Sequence, residues 1–221
     1  VARGVDGDKI TVVTNGVDMT RFKPMPKDIE LLNKLGLEGK FVAGYVGTHG
    51  LAHHLETLLD AAEMVRGLHD GAAFHFILLG DGARKLALQE DAVIRGLDNI
   101  TFVDSVPKDQ VARYWSLLDV SIIHLKKTEL FTTVIPSKLF ECMGMGLPVL
   151  HGVAGESAEI VRDEGVGIVF EPENTAELVE HFRFLQRDSS AYEGYRVHCL
   201  EAAKKYDRIV MARKMLEVLT R

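Results

Sequence analysis

Short runs of apolar and β-branched residues alternate along the chain with longer stretches in which apolar positions recur every three or four residues. The first spacing is that of buried strands and the second that of amphipathic helices, so their alternation predicts a parallel α/β sheet. Six strands are predicted: Phe41 to Val46, Phe74 to Leu79, Ile100 to Val103, Val120 to His124, Pro148 to Leu150 and Gly167 to Phe170. The segments between them, near 54 to 67, 83 to 96, 108 to 118, 137 to 145 and 156 to 163, are long enough for crossover helices. The expected architecture is therefore a doubly wound, six-stranded, Rossmann-like parallel sheet. Three further helices, near 174 to 187, 190 to 205 and 208 to 220, follow the last strand. With no strands left to cover, this tail is expected outside the sheet. Ahead of the first strand, Lys9 to Thr14 reads as extended, and Asn15-Gly16-Val17-Asp18 and two prolines read as turns. We divide the chain into an entry or hinge segment, 1–27, a ligand-binding α/β domain, 28–188, and C-terminal helices, 189–221.

Composition narrows the classes. At 221 residues, with 47% apolar and 26% charged, the chain can bury a core and carries no disordered or low-complexity signature. A net charge of -6 supplies no basic field for nucleic acid, although a local cationic pocket can sit inside an acidic total. Cys142 and Cys199 lack CxxC spacing, which supports neither a disulfide framework nor a cysteine zinc site. A reducing cytoplasm fits this usage. The chain opens on Val1 in what reads as mid-domain sequence, so an upstream region is expected.

In an open parallel sheet, ligands bind outside the carboxyl ends of the strands, so the chemistry is sought in the loops there. The first is Gly44-Tyr45-Val46-Gly47-Thr48-His49-Gly50, whose GxxGxxG spacing lets backbone approach a ligand but is not the dinucleotide fingerprint. His49, His53 and His54 crowd the same loop without a carboxylate to complete a metal set. We read them as solvated or capping histidines and assign no metal. His53 can still donate to an anion. Gly80-Asp81-Gly82 reads as a turn before a helix. The most informative stretch is Pro136-Ser137-Lys138-Leu139-Phe140-Glu141, leading to Gly146-Leu147-Pro148. A helix starting near Ser137 aims amides and a partial positive charge at the crevice, and Lys138 adds a full charge. Glu141 follows one turn on, where an acceptor-only carboxylate can take two ribose hydroxyls. A solvated Lys138–Glu141 ion pair is the alternative on spacing alone, worth only a few tenths of a kcal/mol.

This segment resembles the donor-site helix of retaining GT-B glycosyltransferases, family 4 in particular. Other motifs fall in the family's order: Asn15-Gly16-Val17-Asp18 with Phe22 resembles the entry into its C-terminal domain, and Phe102 to Pro107 resembles the loop that reads the base. Leu118-Asp119-Val120 is similar to a strand entry, Gly155 to Val161 to the helix facing the donor, and Tyr206 to the start of the final helix. The family usually has Arg and Lys where Thr48 and His53 stand, and a Glu at Thr133. That variation is similar to a bacterial subgroup that transfers N-acetylated deoxyamino sugars, such as N-acetylfucosamine, into surface polysaccharides.

The resemblance implies half of a GT-B fold, binding a UDP-sugar for retaining transfer to a hydroxyl acceptor, with no cofactor and no metal. Gly47, Thr48, Ser137 and Lys138 would bind the diphosphate, and Glu141 the ribose. Backbone from Val103 to Val106 would read the base, while Glu156, Ser157, Ala158 and Thr133 would lie near the sugar. Lys138 and His53 are the expected catalytic groups. The implied partner is a missing N-terminal acceptor domain, through which the enzyme would meet the inner face of the membrane. A UDP-sugar isomerase of similar architecture and a non-catalytic nucleotide-sugar sensor are the other readings.

Overall fold

The computed structural model describes residues 4–220. A short helix α1 (Ile29–Lys34) precedes strand β1 (Phe41–Val46), which leads through α2 (Glu56–Arg66) to β2 (Phe74–Leu79). Next come α3 (Lys85–Ile94), β3 (Ile100–Val103), α4 (Val111–Trp115) and β4 (Val120–His124). The chain continues through α5 (Lys138–Met145), β5 (Val149–Gly152), α6 (Glu156–Glu164) and β6 (Gly167–Val169). Three helices close it: α7 (Thr175–Arg187), α8 (Ser189–Lys205) and α9 (Arg208–Leu219). The six strands form one sheet in the order β3-β2-β1-β4-β5-β6, every pairing parallel. The order reverses between β1 and β4, which opens a crevice at their carboxyl ends.

Alternation along the strands builds two cores. Val42, Ile77 and Leu79 face one layer, with Leu139, Phe140 and Met143 of α5, Val161 of α6 and Cys199 of α8. Ala43, Tyr45, Phe74, Phe76 and Leu78 face the other, with residues of α2, α3 and α7. Period-two exposure on a strand buried from both sides explains why the strands read as continuous apolar runs.

Three differences from the sequence expectation have physical causes. Helix α7 does not lie outside the sheet: Leu178, Val179, Phe182 and Leu185 are buried in the second core, with the Phe182 ring centroid 5.0 Å from Phe74 and 5.2 Å from Phe76. Helices α4, α5 and α6 pack on the first face, so only α2 and α3 come from crossovers on the second, and α7 fills the gap over β5. Strand β5 runs on to His151 and Gly152, a polar residue and a glycine that look like loop but are buried between β4 and β6. Helix α1 was hidden by its single turn and a half. Its cap is legible, since the Asp28 carboxylate accepts from Leu31 N.

Helix α8 packs on α5, and the bridge between Val17 and Asp207 ties the entry segment to the start of α9. Gly16 allows that contact, because a Cβ there would lie 2.2 Å from the Tyr206 carbonyl oxygen. Among the described residues no helix is long and apolar enough to cross a membrane.

Candidate functional site

The glycine loop after β1 and the turn after β2 interlock at the carboxyl edge. His49 N donates to Asp81 O at 2.8 Å, and Arg84 N donates back to His49 O at 2.9 Å. Gly80, with φ +148°, has no room for a side chain: a Cβ there would meet Gly47 O at 1.9 Å. The turn expected at Gly80-Asp81-Gly82 instead runs from Gly82 to Lys85, whose amide donates to Gly82 O at 3.0 Å, and Gly80 to Gly82 buttress the loop beside them.

Lys138 reaches this loop from the first turn of α5. Its Nζ lies 4.0 Å from the centroid of the Tyr45 ring and 2.7 Å from where a Gly47 Cβ would sit. Gly47 therefore provides clearance for the ammonium. Its own amide donates to Leu79 O, so the expectation that Gly47 contributes a diphosphate donor is corrected. The Thr48 amide has no acceptor among the described residues, and the Thr48 carbonyl takes the Tyr45 hydroxyl at 2.9 Å. Ser137 has helical backbone angles and makes no side-chain cap, while the Leu139 and Phe140 amides turn back to Pro136 O and Ser137 O. The donors left at this helix start are the Ser137 and Lys138 amides.

Lys138 makes no ion pair with Glu141 in this structure. Half-buried beneath the loop, the ammonium loses hydration that the Tyr45 ring only partly replaces. Its pKa is pulled down to about 8 chiefly by this desolvation, against the pull of Cys142 and Glu141. The Glu141 carboxyl is shifted upward, again chiefly by desolvation, with Lys138, Arg208 and Arg21 holding it down. Both groups thus carry charge that an oppositely charged or hydrogen-bonding ligand would relieve.

The histidines divide by depth. His49 is not solvated: it is fully buried, neither ring nitrogen has a protein partner, and burial lowers its pKa to about 4. His54 does not cap the helix after it, which has no side-chain cap; its Nδ1 lies 3.0 Å from Thr57 Oγ1. His53 lies between them, half-buried, with its ring 5.8 Å from Tyr45 and its pKa lowered by desolvation. Among the described residues no three His, Cys, Asp or Glu side chains converge as a metal site would need.

Around this centre the other expected residues fall into two groups. Val106 lines a cleft of about 270 Å³ with Gly47, Thr48, Gly80, Asp81 and Ser105. The Val103 carbonyl is already used, by Gly80 N at 3.0 Å and Lys85 Nζ at 3.5 Å, which moves any backbone reading of a ligand to Ser105 and Val106. On the other side, the Glu156 amide donates to Thr132 O at 2.8 Å, a contact that requires Gly155 at φ +83°. Ser157 and Ala158 are buried, and Ser157 Oγ sits 2.9 Å from His151 Nε2. Of the amides expected to face a donor here, Glu156 N is taken by Thr132 O and Ala158 N by Gly155 O at 3.0 Å, which leaves the Ser157 amide and the exposed Glu156 side chain. Thr133 is exposed on the neighbouring loop.

Sequence reasoning missed Tyr45, Lys85 and His124. Tyr45 was hidden inside an apolar strand, although a tyrosine just before a glycine loop is a usable signal. Lys85 is 7% exposed, and its ammonium joins Gly80 O, Val103 O and Asp104 Oδ1. Nothing in a helical stripe announces a buried lysine.

A doubly wound parallel sheet, with a cationic helix start and unpartnered amides at its topological switch point, is an α/β domain whose geometry suits an anion. The chain belongs to the group 1 glycosyl transferases, whose family model matches residues 40–188. It is 24% identical over 205 residues to the GDP-mannose-dependent alpha-mannosyltransferase of Mycobacterium tuberculosis, covering 88% of this chain and 50% of that protein. It is 26% identical over 194 residues to the putative colanic acid biosynthesis glycosyl transferase WcaI of Escherichia coli, covering 83% and 45%. The chain thus spans about half the length of these curated relatives. Among solved structures, Anabaena HepE in complex with UDP and glucose superposes with a TM-score of 0.81 at 22% identity, covering 99% of this chain and 59% of that one. The C-terminal domain of the Francisella tularensis group 1 protein LpcC gives 0.72 at 20% identity, covering 87% of this chain and all of that one. Both neighbours share the α/β fold of this chain.

Proposed function

We propose that this chain is the nucleotide-sugar-binding half of a retaining, metal-independent glycosyltransferase that moves a sugar from a UDP-sugar to a hydroxyl acceptor. The observation that carries the reading is the meeting of Lys138 Nζ with the Gly47 backbone, beside the unpartnered Thr48, Ser137 and Lys138 amides. A diphosphate seated there gains charge as the sugar departs, and preorganised donors stabilise that charge most when water is excluded. His53 stands next to the same oxygen positions. Glu141 holds the ribose, the cleft at Ser105 and Val106 takes the base, and the first turn of α6 faces the sugar. In a front-face mechanism the departing phosphate accepts the acceptor's proton, so no general base is needed on this half.

Residues 1–27 act as the hinge, 28–188 bind the donor, and 189–221 form the helices that lead back to an N-terminal acceptor domain. The donor class is supported by the HepE complexes with UDP and UDP-glucose, against the GDP-mannose named for the mycobacterial relative. We assign the sugar to the N-acetylated deoxyamino class and the pathway to surface polysaccharide assembly at the cytoplasmic face of the membrane.

The test is to incubate the full-length enzyme with UDP-sugars, with and without a hydroxyl acceptor. UDP release that needs the acceptor, gives retained anomeric configuration and persists with chelator supports the reading. Epimerised free UDP-sugar would mean an isomerase, and a rate restored only by Mg²⁺ would overturn the metal-free mechanism.

A further inference from the structure

Only two non-glycine residues among those described have positive φ, His54 at +43° and Glu173 at +69°. Such conformations are costly for residues with a Cβ and persist only where the surroundings impose them. The two lie in different loops, one after β1 and one after β6, 119 positions apart in sequence. A single side chain grips the peptide groups beside both. His124, at the end of β4 and 1% exposed, has Nδ1 2.7 Å from His53 O, while Glu173 N donates to its Nε2 at 2.9 Å. A carbonyl faces Nδ1 and an N–H faces Nε2, so the tautomer is dictated: the proton sits on Nδ1 and the ring is neutral.

The two grips are part of a wider weld. Lys126 N donates to Ala52 O at 2.9 Å, and Lys127 N donates to the Glu173 carboxylate at 2.9 Å. Three loops, after β1, β4 and β6, thus converge on one imidazole, which also stacks on Phe170 with 6.0 Å between ring centroids. What they hold matters for the site. The first loop carries His53, whose ring packs against the Tyr45 ring that seats Lys138. The other two line a cleft of about 310 Å³ with Ala154 and Thr132, the residue whose carbonyl anchors Glu156 N.

We propose that His124 is a positioning residue that, as the neutral Nδ1–H tautomer, locks the two strained loops on either side of the donor site, and that protonation releases the loop after β6 while the Nδ1–H bond to His53 O stays. The consequence for ligand binding rests on the donor-site reading above; the lock itself does not. Protonation would place an N–H on Nε2, pointing at the Glu173 N–H, so the second grip becomes a repulsion. The titratable groups around the ring are His53 and His54 from the first loop, Glu173 from the third and His151 on the adjacent strand. Burial chiefly keeps its pKa below the usual histidine value, with the His53 carbonyl and Glu173 opposing and His54 and His53 adding to the shift. The lock is therefore closed at both loops at neutral pH and opens at the Glu173 side on acidification.

Three substitutions in the full-length protein separate the parts. In His124→Asn the side-chain amide keeps a donor near the Nδ1 position, in His124→Gln it places an acceptor near Nε2, and His124→Phe keeps the stack and removes both grips. Amide hydrogen exchange without ligand is the first readout. His124→Phe should speed exchange in 51–54 and 171–174 together, while Asn should spare the first segment and Gln the second. In the wild type, acidification should accelerate 171–174 beyond the intrinsic pH trend and spare 51–54, and in His124→Phe that excess should vanish. Calorimetry with UDP is the second readout, with affinity about tenfold lower in His124→Phe, the effect expected of about 1.4 kcal/mol. Unchanged exchange in both segments, or acceleration spread evenly over the chain, would overturn the proposal. Selective exchange with no UDP binding even in the wild type would leave the lock standing and refute the donor-site reading instead.

Discussion

The two ends of the sheet make an instructive pair. The larger cleft, about 440 Å³, lies at the amino ends of the strands, lined by Lys40, Arg66, His75, Asp98, Asn99 and Thr101. The cleft at the carboxyl end holds about 270 Å³. By size and by count of charged residues the amino end should be the site. Its cations and its histidine, however, are committed to the fold: Lys40 donates to Ala72 O, Arg66 to Gly96 O, and His75 Nε2 lies 2.8 Å from Thr101 Oγ1. The groups left without a partner among the described residues, the Asp98 carboxylate and Asn99 Oδ1, are acceptors that an anion avoids. At the carboxyl end the Lys138 ammonium rests on an aromatic face, Glu141 makes no hydrogen bond or ion pair among the described residues, and the amides of Thr48, Ser137 and Lys138 lack acceptors. Volume does not choose the ligand. Uncommitted positive charge and uncommitted donors mark the carboxyl end as the candidate for an anion.

The sharpest way to break this contrast is to remove one cation from each end. Lys138→Ala should weaken UDP binding by about 1.5 to 3 kcal/mol, the scale of a hydrogen bond to a charged group. Lys40→Ala should leave UDP affinity unchanged in the same calorimetric titration. Equal effects at the two ends would dissolve the distinction.

A somewhat smaller effect should appear in stability. Gly80→Ala puts a Cβ 1.9 Å from Gly47 O at a positive φ, so the interlocked loops must part, at a cost of about 2 kcal/mol or more by denaturant unfolding. Gly194→Ala, in the interior of α8 with no atom within 4 Å of the new Cβ, should instead stabilise by about 0.5 to 1 kcal/mol. A harmless Gly80→Ala would mean that the loops at the carboxyl end are not held as described.

The smallest signal is a proton. Folding depresses the Lys138 pKa from its ordinary value to about 8. The stability that neutral Lys138 contributes is thus present above pH 10.5, the unfolded value, and is lost as pH falls through about 8. A diphosphate that favours the charged form must then draw in a proton: about half a proton per UDP at pH 8, where half of the lysines are neutral, and almost none at pH 6. Titrations in buffers of different ionisation enthalpy read this directly, and Lys138→Ala should abolish the buffer dependence.

Much of the fold was legible from local pattern. The first four strands fall where the apolar runs place them, because a strand covered on both faces leaves little room for polar residues. The start of α5 at Pro136-Ser137-Lys138 was equally readable, since helix starts and cations near them are local features. The errors arose where a residue's partner lies far away along the chain. Gly47 looked like an amide donor because glycine loops often are, yet Leu79 takes that amide and Gly47 serves by having no side chain. Glu156, Ser157 and Ala158 looked like three donor contacts because they open a helix, yet the Glu156 and Ala158 amides are spent on Thr132 O and Gly155 O, and only the Ser157 amide stays without an acceptor among the described residues.

By itself, then, the sequence determined the order of strands and helices along the chain, the loops that end at the carboxyl edge of the sheet and the helix start that carries Lys138 there. These follow from periodicity, turn chemistry and the polarity of helix ends, which act over a few residues. Only the tertiary structure decided which of the polar groups were still free to bind. That depends on carbonyls and amides brought together across loops, as at Tyr45, Lys85 and His124, and no local pattern records where such groups spend their hydrogen bonds.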